Sequence, residues 1–273
     1  MPRPSKPSPK PGPKPGTRPI AKPPAPGPRV SAARRRRALA LADALRAAYP
    51  DAHCELTHSA PHELLIATIL SAQCTDVAVN KATPALFARF PNPQSFADAS
   101  PADIEPFIRS LGFFRAKARA IHESMRSIVR DHQGRVPRTM DQLLTLRGVA
   151  RKTANVVLGN AFGVASGFVV DTHVQRLAVR LGLAQPGSTV LAIERSLMAL
   201  FPPERWCELS HQLIFHGRRA CKARGGPCPS HPICQTFGIA CERRPTRPSK
   251  GDKRARQESN LQPSASEADA LSS

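Results

Sequence analysis

Acidic residues are few in this chain of 273 residues, and long apolar runs are absent. The 40 Lys and Arg residues outnumber the 20 Asp and Glu residues, which gives a formal net charge of +20. Such an excess favours an anionic partner, most commonly nucleic acid, although a membrane surface or a solvated basic face is the alternative. No apolar run approaches the roughly 18 residues that cross a bilayer. No signal-peptide core follows Met1, so we predict a reducing, cytoplasmic compartment and no membrane partner.

Both ends of the chain lack the apolar residues that a packed core needs. Residues 1–31 are mostly Pro, Lys, Gly, Ser and Ala, and residues 243–273 are polar and rich in Ser and Pro. Segments of this kind bury too little surface to fold, so we predict two disordered tails. The N-terminal tail either adds salt-sensitive DNA affinity or is a solvated segment without a specific role. Its proline density argues against the amphipathic helix of a transit peptide.

Between the tails, apolar residues recur at the three- and four-residue spacing of helices. One such stripe runs from Ala38 to Tyr49 and ends at Pro50. Ser100 and Pro101 have the types expected at a helix N-cap and first turn. No segment shows sustained period-two alternation, so the sequence predicts an all-α protein. The predicted helices span residues 38–49, 62–70, 76–90, 101–111, 113–132, 139–146, 151–162, 173–181, 190–200 and 204–219.

One segment places a tight turn with Gly148 directly before a helix that carries Lys152 in its first turn. A helix N-terminus offers free N–H groups and a positive dipole end, which suit a phosphate. The same field, with Arg151 beside it, disfavours positive charge on Lys152 and so suits an amine nucleophile. Asp171 follows, just before another helix. The alternatives are that Lys152 only contacts phosphate or solvent and that Asp171 only caps its helix.

These residues resemble the helix-hairpin-helix and aspartate signature of the endonuclease III family, the bifunctional DNA glycosylase/AP lyases. The likeness covers roughly residues 34–241 and extends, in the order of the family, to segments 70–76, 79–83, 151–158, 161–163 and 216–218. It implies a six-helix barrel with the helix-hairpin-helix at residues 54–164. It also implies an iron–sulfur cluster domain formed by residues 32–53 with 165–242, and a DNA-binding cleft between the two.

The resemblance also implies the reaction. A monomeric enzyme at the nucleoid would bind double-stranded DNA with damaged or abasic sites and extrude an oxidised pyrimidine from the stack. Lys152 would attack the sugar and form a Schiff base, and β-elimination would then break the strand on the 3′ side. Asp171 is the implied partner. The link from Gly163 to Val170 is one residue longer than expected for the family, which leaves the distance from Asp171 to Lys152 open.

DNA contacts are implied for two loops and for the turn. Gln73 would fill the space of the extruded nucleotide and Phe113 would wedge between bases, although core packing beside Phe114 is the alternative. Arg147 and Ala150 replace the proline and the second glycine of the family's turn. If position 150 needs a positive φ, alanine is strained there by roughly 1 kcal/mol or more. The predicted DNA-binding residues are Gln73, Phe113, Arg147, Gly148, Ala150, Arg151 and His173, with Lys222 and Arg224 on the cysteine loop.

Four of the seven cysteines cluster near the C-terminal end of the resemblance. Cys54, Cys74 and Cys207 are scattered, and we expect them to be small buried groups. The clustered residues are Cys221, Cys228, Cys234 and Cys241, with six, five and six residues between them. Four thiolates in a short loop suit a [4Fe–4S] cluster.

The resemblance implies such a cluster after the same helix, but with gaps of six, two and five residues. By that spacing, His231 and Phe237 occupy the third and fourth ligand positions. The loop is therefore either re-spaced around four cysteines, which we predict, or has lost the cluster or holds it through a mixed set that includes His231. Zinc is a further alternative, although no C-x₂-C pair is present.

Two other functions compete with the bifunctional enzyme. A monofunctional adenine-type DNA glycosylase shares the scaffold but would lack the lysine and carry an extra C-terminal recognition domain. A non-catalytic DNA-binding module would use the hairpin and the basic tails only to hold DNA. The last of these predicts that Lys152 can be replaced without loss of function.

Overall fold

A computed structural model describes residues 30–224 and 228–239, and all regular structure in these ranges is helical. The predicted all-α class is confirmed. The predicted tails, apart from Val30 and Ser31, lie outside the described residues, and so does Cys241. Among the described helices, none has the length and apolar character to cross a membrane. The helices are α1 Ala32–Ala48, α2 Pro61–Leu70, α3 Asp76–Arg89, α4 Pro93–Asp98, α5 Pro101–Ile108, α6 Phe114–His132, α7 Met140–Leu143, α8 Arg151–Phe162, α9 Thr172–Arg180, α10 Val190–Leu200, α11 Trp206–Arg219 and α12 Pro232–Phe237.

Most helix starts follow from capping residues in the sequence. Ser31 caps α1 by accepting from Arg34 N, and Ser100 forms a capping box with Asp103 at α5. α8 ends at Gly163, which has the left-handed φ of 64° that glycine adopts without strain. Local residue chemistry therefore sets the ends of the helices that carry the site.

The predicted ends differ most at four helices. α1 begins at Ala32 and not at residue 38, because Ser31 caps it there. α5 stops at Ile108 because the chain turns there, with Leu111 N donating to Ile108 O at 2.9 Å. α7 covers only Met140–Leu143 of the predicted 139–146, and a 3₁₀ turn at Pro203–Arg205 precedes α11. The prediction also missed α4 and α12, each of six residues.

Buried apolar residues form two clusters. The first extends from Leu56 to Val169 and is built by α2 to α8. The second combines α1 with α9, α10, α11 and α12. Apart from the residues of α1 and Tyr49, its members lie between Phe168 and Cys234. The segment 163–171 therefore crosses from one cluster to the other.

The two clusters meet where α8 approaches α11. Gly159 of α8 lies so near α11 that a Cβ there would sit 3.1 Å from Cys207 Sγ. One residue on, Asn160 Oδ1 is 2.8 Å from His211 Nε2. This approach sets the walls of the cleft described next.

Candidate functional site

The turn before α8 presents backbone N–H groups at the end of a helix. Gly148 has a φ of 78°, and Val149 N donates to Leu146 O at 3.2 Å. Ala150, the N-cap of α8, has a φ of −92° and a ψ of 170°, an extended conformation open to any residue. Alanine is therefore unstrained at this position. Because its side chain has no acceptor, the first-turn N–H groups remain available to an anion such as phosphate.

The same turn is packed against α6. A Cβ at Gly148 would lie 3.0 Å from Ala120 Cβ, and Ser124 Oγ donates to the Arg147 carbonyl at 2.6 Å. The Arg147 side chain pairs with Glu123 at 2.8 Å on the surface. The backbone of the turn is thus held by α6, and the predicted phosphate contact of Arg147 competes with an ion pair.

Lys152, in the first turn of α8, lines a cleft between the two clusters. The cleft is also lined by Asp76 of α3, Asp171 before α9, and His211 and Arg218 of α11. Asp171 Oδ1 accepts from Val174 N at 2.8 Å, so this residue is the N-cap of α9. The structure therefore brings the predicted pair Lys152 and Asp171 into one cleft and gives Asp171 the capping contact as well.

Asp76 adds a second carboxylate to the cleft. Burial raises the pKa of Asp76, the charge of Lys152 opposes that rise, and the charge of Asp171 adds to it. Arg218 Nη2 donates to Asp76 Oδ2 at 2.7 Å, and Arg218 also pairs with Glu55. The carboxylate from α3 is thereby tied to α11 across the cleft.

His211 is a cleft residue that the sequence analysis missed. Burial lowers the pKa of His211 to about 4, and the nearby charge of His53 acts in the same direction. The ring is consequently neutral near neutral pH. No local motif marks His211, because α11 reaches the cleft from the other end of the chain.

The two predicted probing loops have unusual backbones. Gln73 and Phe113 are exposed and have φ values of 56° and 59°, the left-handed region that non-glycine residues seldom adopt. Phe113 is 68% exposed, whereas Phe114 packs against the first cluster, so core packing does not account for Phe113. Lys117 is buried and joins the loops, since its Nζ donates to Leu70 O at 2.8 Å.

Arg151 and His173 have protein partners. Arg151 Nε lies 2.7 Å from Glu194 Oε2, and the hydrogen bond to Glu194 raises the pKa of Arg151. His173 Nδ1 is 3.3 Å from Arg176 Nη2. Both residues lie beside the cleft, and their contact with DNA stays a prediction.

Three of the four clustered cysteines come together. The Sγ atoms of Cys221, Cys228 and Cys234 lie within 4.8 Å of one another. Arg180 Nη1 donates to Cys221 Sγ at 3.3 Å. The hydrogen bond with Cys234 is the main cause that lowers the pKa of Cys221, and the bond from Arg180 acts in the same direction. Such a group of thiols suits a soft metal or an iron–sulfur cluster. Cys54, Cys74 and Cys207 are each partly buried and stand apart from this group.

Comparison with known proteins identifies the family. Residues 66–203 match the HhH-GPD superfamily of base excision DNA repair proteins. The Endonuclease III of Synechocystis sp. is 50% identical over 200 residues, which cover 73% of this chain and 91% of that protein. This chain belongs to the endonuclease III family. It is a bifunctional base-excision repair enzyme, a DNA glycosylase with AP lyase activity.

Other endonuclease III proteins agree with this assignment. The Escherichia coli K12 enzyme is 40% identical over 194 residues, 70% of this chain and 91% of that protein. A solved trapped endonuclease III–DNA covalent intermediate superposes with a TM-score of 0.71 at 41% identity and covers 81% of this chain and 98% of its own. A thermostable thymine-DNA glycosylase, at 20% identity and a TM-score of 0.64, shares the fold.

Two histidines and a tyrosine lie next to the cysteine group. His216 Nε2 lies 3.3 Å from Cys234 Sγ, and Tyr49 Oη lies 2.9 Å from His216 Nδ1. A ring nitrogen of His231 lies within 4.8 Å of both a His216 nitrogen and Cys234 Sγ. His216, His231 and Cys234 therefore form a second candidate metal group. The alternative of a mixed ligand set with His231 therefore has a geometric basis. Phe237, at the fourth expected ligand position, instead stacks near Arg37.

Proposed function

We propose that this enzyme removes oxidised pyrimidines from duplex DNA with Lys152 as its nucleophile and Asp171 as the partner of that lysine, and that it then cleaves the abasic strand. The observation that carries the proposal is the shared cleft. Lys152 at the N-terminus of α8 and Asp171 at the N-terminus of α9 line it together, next to the first-turn N–H groups of α8.

The neutral amine of Lys152 forms a bond to C1′ as the bond from C1′ to the base breaks, and the departing base takes up a proton from water. Asp171 stabilises the positive charge that develops at the sugar and accepts a proton from the bonded amine. Asp171 then gives this proton to O4′ as the sugar ring opens at the C1′–O4′ bond, which leaves an iminium joining Lys152 to C1′. Loss of a C2′ proton then forms a C2′–C3′ double bond and expels the 3′ phosphate. Water finally hydrolyses the iminium and frees the lysine.

Binding of the duplex is proposed to use three features around the cleft. The turn from Arg147 to Ala150 and the first-turn N–H groups of α8 hold a phosphate. Gln73 and Phe113 enter the duplex, which is supported by their exposure and by their left-handed backbones. The formal net charge of +20 supplies the part of the DNA affinity that does not depend on base sequence.

We also propose the division into a barrel domain at residues 54–164 and a cluster domain of 32–53 with 165–242. The two apolar clusters support it, because the first contains α2 to α8 and the second contains α1 and α9 to α12. The cleft then lies at the junction of the domains.

A [4Fe–4S] cluster held by Cys221, Cys228, Cys234 and Cys241 is proposed for the second domain. The grouped sulfur atoms of the first three fit cluster ligation by thiolates. When bound, the cluster cross-links the loop and takes no part in the reaction at the sugar. Lys222 and Arg224 of the same loop are exposed, which leaves both side chains accessible to a DNA phosphate.

The nucleophile is tested by borohydride trapping on a duplex with an oxidised pyrimidine. Lys152→Ala and Lys152→Arg should both abolish the covalent adduct, because neither side chain can form the imine. Lys152→Arg places a permanent positive charge at this position and should therefore keep DNA affinity, which separates chemistry from phosphate contact. An adduct formed at the wild-type rate by either variant would reject the assignment.

Asp171→Asn separates catalysis from capping. Asparagine is as good an N-cap as aspartate, so the stability of α9 should be unchanged while adduct formation slows by about 10²-fold or more. Asp171→Ala should show the same slow reaction and should also lose about 1 kcal/mol of stability. Full activity in Asp171→Asn would leave the residue a cap only.

The cluster is tested by iron, acid-labile sulfide and visible absorbance in protein purified without oxygen. Cys241→Ala should lower the iron content, whereas His231→Ala should leave it unchanged. The reverse pattern would favour the mixed ligand set, and an absence of iron and sulfide would reject the cluster.

A further inference from the structure

A buried carboxylate pairs with the residue that precedes the proposed nucleophile in the chain. Glu194 of α10 is only 4% exposed, and its charge is met by two groups of α8. Arg151 Nε is 2.7 Å from Glu194 Oε2, and Asn155 Nδ2 donates to Glu194 Oε1 at 3.0 Å. Since α8 belongs to the first apolar cluster and α10 to the second, these bonds cross the junction between them.

The link between α8 and α9 lies directly on this carboxylate. Ser166 Oγ donates to Asn155 Oδ1 at 2.9 Å, so Asn155 bonds to both the link and Glu194. Gly167 is so close that a Cβ there would overlap Glu194 Oε1 and lie 2.7 Å from Asn155 Nδ2. Glycine is required here by close approach, because any side chain would displace the pair.

The two ends of this network are the residues next to the proposed chemistry. Arg151 directly precedes Lys152 in the first turn of α8, and the link from Ser166 leads directly to Asp171. A shift of Glu194 would therefore move the backbone on both sides of the cleft. The hydrogen bonds restrain the start of α8 at Arg151 and Asn155, and they restrain the link that leads to Asp171 at Ser166.

We propose that Glu194, acting through Asn155 and Arg151, is a positioning residue that sets the distance between Lys152 and Asp171. This inference rests on the proposed roles of those two residues. A purely cohesive role is a poor explanation for a buried charge, because well-packed apolar residues often hold such an interface equally well or better. A directional network instead fixes geometry, and small displacements of reacting groups slow a reaction by up to about 10²-fold.

The test uses Glu194→Gln and Ser166→Ala, with Glu208→Gln as the matched control. Glu208 also pairs with an arginine across two helices, Arg46 at 2.9 Å, but on the surface. The rate of the borohydride-trapped adduct is measured in single turnover, and affinity is measured on a duplex with a non-cleavable abasic analogue. We expect adduct formation to slow by about tenfold or more in Glu194→Gln and by a smaller factor in Ser166→Ala, with affinity and the control unchanged.

A double variant shows whether Glu194 acts through Asp171. Residues that work as a unit give non-additive effects, so Glu194→Gln should slow the Asp171→Asn variant little further. Rate factors that multiply would overturn the inference, and so would wild-type adduct rates with only a lower unfolding midpoint. If Glu194→Gln does not fold, Ser166→Ala decides, since it removes one half-buried hydroxyl and leaves the ion pair between Arg151 and Glu194 intact. A trapped adduct in Lys152→Ala would instead reject the proposed function on which the inference rests.

Discussion

Backbone dihedral angles at single residues explain how the turn before α8 accepts alanine in place of the family's second glycine. Gly148 has the left-handed φ of 78°, whereas Ala150 has an extended backbone that alanine adopts freely. The sequence alone could identify both positions but could not say which of them needs glycine. Gly148 is the position that needs glycine, because its φ is positive and because a Cβ there would lie in close contact with α6.

Gly148→Ala should therefore destabilise the protein more than Gly134→Ala. Both glycines have a positive φ, 78° and 72°, so each substitution should cost about 1 kcal/mol through the backbone. Only Gly148 also places the new Cβ 3.0 Å from Ala120 Cβ, while Gly134 has nothing within 4 Å. Denaturant unfolding measures the difference, and equal losses would contradict the role of α6 contact. DNA affinity should fall only in Gly148→Ala.

At the scale of elements, caps and periodicity predicted the helices that carry the site but missed two short ones. α8 begins and ends where the sequence predicts, because Gly148, the apolar stripe and Gly163 all act locally. α4 and α12 have only six residues, too short for a periodic stripe, although each begins with an N-cap residue followed by proline. The exposure of Phe113 was equally unpredictable, since it depends on a left-handed turn between α5 and α6.

Lys117 shows how one element holds two loops, and its replacement should affect both. Its Nζ donates to Leu70 O at 2.8 Å and to Cys74 Sγ at 3.2 Å, which ties the start of α6 to the loop that carries Gln73. Lys117→Met removes both bonds and leaves a buried carbonyl without this donor, so unfolding should become easier by about 1–3 kcal/mol. Abasic-DNA affinity should fall as well. Lys81→Met, at an exposed lysine of α3, is the control and should change neither quantity.

At the scale of the whole molecule, the contacts that close the cleft join residues far apart in the chain. Arg218 reaches Asp76, Arg151 reaches Glu194, and His211 reaches Asn160. No local pattern predicts these pairs, because each depends on how the second cluster packs on the first. A local motif in the sequence points to the proposed nucleophile and its aspartate partner, but not to the groups that surround them.

His211 should make the stability of the enzyme sensitive to acid. Burial keeps its folded-state pKa at about 4, whereas the usual value is 6.5. Between these values the unfolded chain binds a proton that the folded protein does not, so stability falls as the pH decreases from about 6.5 to about 4. The loss should be no more than about 3 kcal/mol. His211→Gln should flatten this part of the pH profile in thermal unfolding, and an unchanged profile would show that other groups dominate.

Charge along the whole chain leads to a prediction about salt. Residues 1–29 contain seven Lys and Arg residues and no acid. Each phosphate contact made by a basic residue contributes about 0.9 to the slope of log K against log salt concentration. A tail that adds DNA affinity predicts that deletion of residues 1–29 makes this slope shallower by about 1 or more on undamaged duplex DNA, whereas a solvated tail without a role predicts no change. Deletion of residues 257–273, which contain no Lys or Arg, should leave the slope unchanged. An unaltered slope after both deletions would mean that the salt dependence arises from the helical part of the protein, where the N-terminus of α8 and the basic residues around the cleft meet the backbone of DNA.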